Sequence, residues 1–259
     1  MTDFATALNK LWPNGDQKAP GLRAGIIASA PSVFARYGID SPLVLAHLMA
    51  QISHECGAGH DIVENLNYTA SRMTQVWPSR FPTIASAEPY AGNPKALANK
   101  VYNGRMGNRT GTDDGWNFRG RGGSQTTGRD GYERVAKQTH FDVVNNPDIL
   151  IDPKCFLECA VSDFINCGCM PYAKADDIMN VTKRLNGGYI GLGERKEWLK
   201  RWKSLSVQVP AWTMPADQDA GHEPPHASPP ASPKTPIPAR TAAQAGWLAS
   251  LIAAIFRRR

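Results

Sequence analysis

The sequence predicts a mainly α fold with at most a small β element. Three observations carry that expectation. Apolar residues recur at helical spacing in several segments, helix-start signals precede some of them, and segments with strand character are few and short. The clearest start is Asp40-Ser41-Pro42, a capping hydroxyl followed by proline in the first turn. From there Leu45, Leu48, Met49 and Ile52 fall on one face, and Gly57 and Gly59 end the helix just after Glu55. Further helices are expected over residues 86–101, 131–137, 155–165, 176–185 and 194–202. The best strand signals lie at 116–119 and 124–126.

Composition divides the 259 residues into three parts. Residues 1–206 read as one globular domain, with 42% apolar residues in the chain as a whole giving enough material for a core. Residues 207–240 read as a linker, because nine prolines between Pro210 and Pro238 leave nothing to pack. Residues 241–259 (TAAQAGWLASLIAAIFRRR) form an amphipathic cationic tail. Its apolar run is too short to span a bilayer as a helix and its arginines suit an anionic membrane surface. The net charge of +6 fits an anionic partner but does not choose one.

Several function classes drop out. The opening MTDFATALNKLW is no secretory signal, and five cysteines are an odd set, so the expectation is reduced thiols in a chain made in the cytoplasm. Cys155-x3-Cys159 and Cys167-x-Cys169 match no common zinc module, and no metal is expected. His54-Glu55 lacks the second histidine of a zinc protease, since Ala58 stands four residues on. The FRGRGG stretch at 118–123 is a single RGG-like copy between Trp116 and Gln125, so no nucleic-acid partner is expected.

Glu55 and Glu64 stand out instead. On a helical wheel Glu55 lies beside Leu48, at the flank of the apolar stripe, where partial desolvation disfavours its charged form and suits it to a general acid. A continuous helix would place Glu64 on the opposite face, but the intervening glycines let the chain turn and present it across a cleft. An inverting glycosidase needs two carboxyls separated by roughly 6.5–9.5 Å, with a water between them.

Five blocks in order, QISHE with the ENLNY glutamate, YTASRMTQVWPSRFP, NPKALANKVYNGRMGN, DGWNFRGRGGSQTTGRDGY and RLNGGYIGLGER, resemble glycoside hydrolase family 19, the chitinase and phage-endolysin family. The likeness runs from about Leu43 to Trp202. It implies a lysozyme-like, two-lobed fold, no cofactor, and inverting acid/base cleavage of β-1,4 links in a polymer containing N-acetylglucosamine. By the resemblance Glu55 is the acid, Glu64 the base, and Thr127 the hydroxyl that positions the water. Gln125 and Asn186 match residues that hold the sugar's N-acetyl and hydroxyl groups, and Arg195 matches an arginine whose charge would keep Glu64 ionised. Tyr68 and Trp77 are candidate sugar platforms.

The block pattern is nearer to phage endolysins than to plant chitinases, which makes peptidoglycan the first expected substrate and chitin the second. The enzyme would then act on the wall after release from the cell. Two further readings compete: a lytic transglycosylase, which needs only the acid, and a catalytically weak or inactive wall-binding module. The latter rests on departures from the family pattern, with Ser124 and Thr126 at normally apolar positions and Gly131 in place of a substrate-contacting asparagine.

Overall fold

The computed structural model describes residues 2–209; the proline-rich linker from residue 210 and the cationic tail lie outside the described residues. Twelve α-helices are present in this part of the chain: α1 (Phe4–Leu11), α2 (Leu22–Tyr37), α3 (Pro42–Glu55), α4 (Ala70–Val76), α5 (Ile84–Ala87), α6 (Pro94–Tyr102), α7 (Asp114–Asn117), α8 (Arg129–Thr139), α9 (Phe156–Asn166), α10 (Met170–Lys174), α11 (Ile178–Asn186) and α12 (Leu192–Ser204). The mainly α expectation holds.

Helix α3 is the centre of the largest core. The Ser41 hydroxyl accepts from the Val44 amide at 3.2 Å, and Pro42 starts the first turn, where its missing N–H costs nothing. Every residue from Val44 to Glu55 is buried, so the helix has no solvent face over that stretch. Its polar side chains are met from other elements. The indoles of Trp12, just after α1, and Trp202, on α12, both donate to the buried Ser53 hydroxyl, at 2.9 and 3.0 Å. Each such bond is worth about 1 kcal/mol net, and together they fix α1 and α12 against the same turn of α3. Helix α2 packs on α9, where Glu158 accepts from Arg36 at 2.6 Å and from the Tyr37 hydroxyl at 3.1 Å.

A second apolar cluster is built from a separate stretch, with Leu66, Met73, Trp77, Phe81, Leu97, Val101 and Tyr102 at its centre. A third gathers Phe118, Tyr132, Val135, Val143, Leu150 and Cys159 beneath α8 and α9. Cys155 and Cys159, one turn apart, both pack into this third cluster.

Three local expectations change. The helix expected over 86–101 is interrupted: a 3₁₀ turn at Glu88–Tyr90 and the left-handed Gly92 separate α5 from α6. Pro89 and Pro94 remove the amides that a continuous helix would need, and Asn93 caps α6 through the Ala96 amide at 3.1 Å. Trp116 and Asn117, expected in a strand, end the short helix α7. Around 124–126 the β character reduces to isolated antiparallel bridges of Arg121 with Val63 and with Thr126.

Candidate active site

Glu55 is the last residue of α3 and is 4% exposed. The fully buried Arg195, from the first turns of α12, donates through Nη2 to Glu55 Oε1 at 2.5 Å and through Nη1 to Gln51 Oε1. Gln51 and Glu55 are four residues apart and therefore lie on one side of α3, so a single guanidinium binds both. Arg195 thus sits on Glu55, a member of the pair the resemblance put it near, whereas its expected task was to keep Glu64 ionised. Its complete burial makes it an anchor for the carboxylate and takes it away from direct contact with a sugar.

Glu64 is reached by a different construction. Its amide donates to the Gly120 carbonyl at 2.9 Å, and the Gly120 amide donates back to Glu64 Oε2 at 3.1 Å. The Tyr102 hydroxyl, from the end of α6, donates to Oε1 at 2.6 Å. Burial pushes the Glu64 carboxyl above the usual range; the Tyr102 and Gly120 bonds and the charges of Arg119 and Arg121 oppose that shift without cancelling it. Tyr102 is itself buried in the second cluster, so the position of Glu64 depends on that cluster as well as on the Gly120 loop.

Gly120 is the point of closest approach. A β-carbon there would lie 2.7 Å from Gln125 Oε1 and 3.3 Å from both Glu64 Cβ and Thr127 Oγ1. Glycine leaves room for those three side chains to converge, and the structure brings together three of the residues marked from sequence. Gln125 takes a left-handed backbone (φ 48°), and its amide nitrogen donates to the Asp61 carbonyl at 2.5 Å. The Thr127 hydroxyl donates to the Gln125 carbonyl at 2.9 Å, which leaves its oxygen lone pairs for a water. Asn186, at the end of α11, is 3% exposed; its amide nitrogen bonds the Ile190 carbonyl at 3.2 Å and its Oδ1 has no partner among the described residues.

Trp77 corrects the sequence reading. At 2% exposure, with edge contacts to Tyr68 at 5.2 Å and Phe81 at 6.2 Å, it is a core ring with no face to offer a sugar. Tyr68 is half-buried and keeps part of its surface. The polar departures find partners on α9: Ser124 Oγ donates to the Ala160 carbonyl at 3.1 Å, and Thr126 Oγ1 to Asp163 Oδ2 at 2.5 Å. These hydroxyls therefore lie within a satisfied network rather than in an apolar pocket. Gly131 is buried in α8, and a β-carbon there would meet Thr126 Cγ2 at 3.3 Å. Asp114, clasped by Arg109 and Arg129 at 2.9–3.0 Å, is held far below the usual carboxylate range and braces the loop that leads to Gly120.

Sequence reasoning missed Gln51 and Tyr102. Gln51 carried a usable signal, its four-residue spacing to Glu55. Tyr102 carried none, because an aromatic at the end of an apolar helix face looks like any core ring.

Two buried carboxylates on a helical scaffold, with hydroxyl and amide side chains gathered at one of them, are the kinds of groups that a glycosidase uses. No protein-family model matches the chain. A curated relative from Haemophilus influenzae, a glycosyl hydrolase family 19 domain-containing protein, is 30% identical over 200 residues, covering 77% of this chain and 93% of the relative. The chain belongs to glycoside hydrolase family 19.

Proposed function

We propose that this protein is an endo-acting hydrolase of β-1,4 links in cell-wall polymers containing N-acetylglucosamine, with peptidoglycan as its substrate and chitin as the alternative. The observation that carries the reading is the pair of buried carboxylates, each held by its own partners, with the Thr127 hydroxyl and the Gln125 amide beside Glu64. Glu55 protonates the glycosidic oxygen, and Glu64 takes a proton from a water positioned by Thr127. Gln125, Asn186 and Tyr68 contact the sugar.

A second assignment of the same pair has a specific observation behind it. Glu64 is the carboxyl that burial pushes upward, and Glu55 is the one ion-paired to Arg195. The upward push suits Glu64 to the acid's role, and the Arg195 ion pair leaves Glu55 for the base's. The two assignments share residues and products and differ only in direction of attack.

The reading is tested by analysing the ends released from purified peptidoglycan and from a chitooligosaccharide. Hydrolysed reducing ends that first appear with inverted anomeric configuration by NMR are expected. Anhydro ends would replace hydrolysis by transglycosylation, and no product from either polymer would leave a wall-binding module.

The reading extends to residues 241–259. Trp247, Leu248, Leu251, Ile252, Ile255 and Phe256 recur in the sequence at the spacing of a helical stripe, followed by Arg257–Arg259, a pattern suited to an anionic bilayer surface. The linker would let that tail engage a membrane while the enzyme, released from the cytoplasm, works on the wall. The full chain is expected to float with anionic vesicles and a chain ending at Arg240 to stay behind; equal behaviour of the two removes the membrane role.

A further inference from the structure

Three arginines act on the two carboxylates, and two of them end on an acid: Arg195 holds Glu55, and Arg121 holds Asp148 at 2.9 Å. Arg119 is different: among the described residues it forms no ion pair. It directly precedes Gly120, the residue that grips Glu64, and its charge reaches that carboxylate. Its guanidinium lies 3.7 Å from the centre of the half-buried Trp116 ring, and Nη1 donates to the Trp116 carbonyl at 2.9 Å. Burial and the charge of Arg121 disfavour this cation, and Tyr132, Asp148 and Glu64 offset that only in part.

We propose that Arg119, seated on Trp116, is a specificity-determining residue that receives a carboxylate carried by the polymer, and so favours peptidoglycan over chitin. The inference rests on the glycosidase reading above. Both polymers present N-acetylglucosamine, so Gln125 and Asn186 have the same groups to recognise in each. They differ in that alternate sugars of peptidoglycan bear a lactyl group, either as a free carboxylate or joined to a stem peptide that has carboxylates of its own. A chitin chain has no such charge. The planar guanidinium fork matches a carboxylate with paired hydrogen bonds, and stacking on an indole restrains the plane before the ligand arrives.

The competing role is purely internal, in which Arg119 does no more than favour ionised Glu64. Arg119→Gln and Arg119→Lys, with the full chain otherwise unchanged, separate the two on three substrates of equal length: a chitooligosaccharide, glycan strands stripped of peptide, and strands that keep it. The expected result for Arg119→Gln is a fall of roughly tenfold or more in the ratio of kcat/KM on acidic to neutral substrate, seen in KM, because a charge-assisted hydrogen bond is lost. Arg119→Lys should recover part of that ratio, and serves as the working variant if the glutamine form folds poorly. A loss already present on stripped strands assigns the contact to the lactyl carboxylate; a loss confined to peptide-bearing strands assigns it to the stem. Equal losses on acidic and neutral substrates, with the acidic limb of the pH profile displaced upward, would overturn the proposal in favour of the internal role. A wild-type enzyme that cuts only the neutral chain overturns it as well. Failure to cut any of the three strikes instead at the glycosidase reading.

Discussion

Glu55→Gln is expected to lower turnover of purified wall at least about a hundredfold, since a positioned general acid or base supplies ~10²–10⁴ in rate. The loss follows from either assignment of the pair, because an amide neither gives nor takes the proton. Glutamine keeps an oxygen for Arg195 Nη2, so the helical circular dichroism should persist. It does not keep the charge, and the buried Arg195 is left uncompensated; a melting temperature several degrees lower should accompany the loss of activity. Azide then sorts the roles on a chitooligosaccharide. With Glu64 as base, azide restores turnover to Glu64→Gln by replacing the activated water and does nothing for Glu55→Gln. Rescue of Glu55→Gln alone would establish the reversed assignment. Near-normal lysis by Glu55→Gln would remove the residue from the chemistry altogether.

What the sequence disclosed, and what it did not, divides along physical lines. Helices α3, α8, α9, α11 and α12 were legible because a cap or a glycine marks an end and their apolar residues repeat at helical spacing. Helix α2 was not: Pro31 in its interior reads as a break, although its buried residues Leu22, Ile26, Ala30, Val33, Phe34 and Tyr37 do recur at helical spacing. Helix α3 was found but misread as amphipathic. Its polar positions Gln51, Ser53 and Glu55, on two sides of the helix, are covered by Trp12, Arg195 and Trp202, and those three come from opposite ends of the globular region. Local periodicity cannot show that polar positions have distant partners. The same limit explains the site. Glu55 and Glu64 were marked because ordered blocks resemble a family, whereas the partner of Arg195 and the burial of Trp77 are tertiary facts that no spacing encodes. The departures at Ser124 and Thr126 looked like faults in an apolar surface until α9 supplied an acceptor for each.

Arg195→Met is expected to be the most destabilising single change near the site. Methionine roughly fills the volume but leaves the Glu55 carboxylate buried with no cation, and it strips the donor from Gln51 Oε1. Removing one partner of a buried ion pair costs about 3–5 kcal/mol, which for a domain of this size lowers the melting temperature by roughly 6–20 °C. The change also breaks a direct link between α12 and α3, so the end of α3 that aims Glu55 loses its fixed direction, and activity should fall even at temperatures where the fold survives. The double variant Glu55→Gln/Arg195→Met separates charge from shape. With both charges gone and an amide facing Gln51, it should be clearly more stable than Arg195→Met alone while remaining inactive. Calorimetry on the four proteins of this cycle gives the coupling directly. If Arg195→Met melts within about two degrees of wild type, the pair is not an anchor of the fold. If the double variant melts as low as Arg195→Met, the damage comes from packing around the lost guanidinium rather than from the stranded carboxylate.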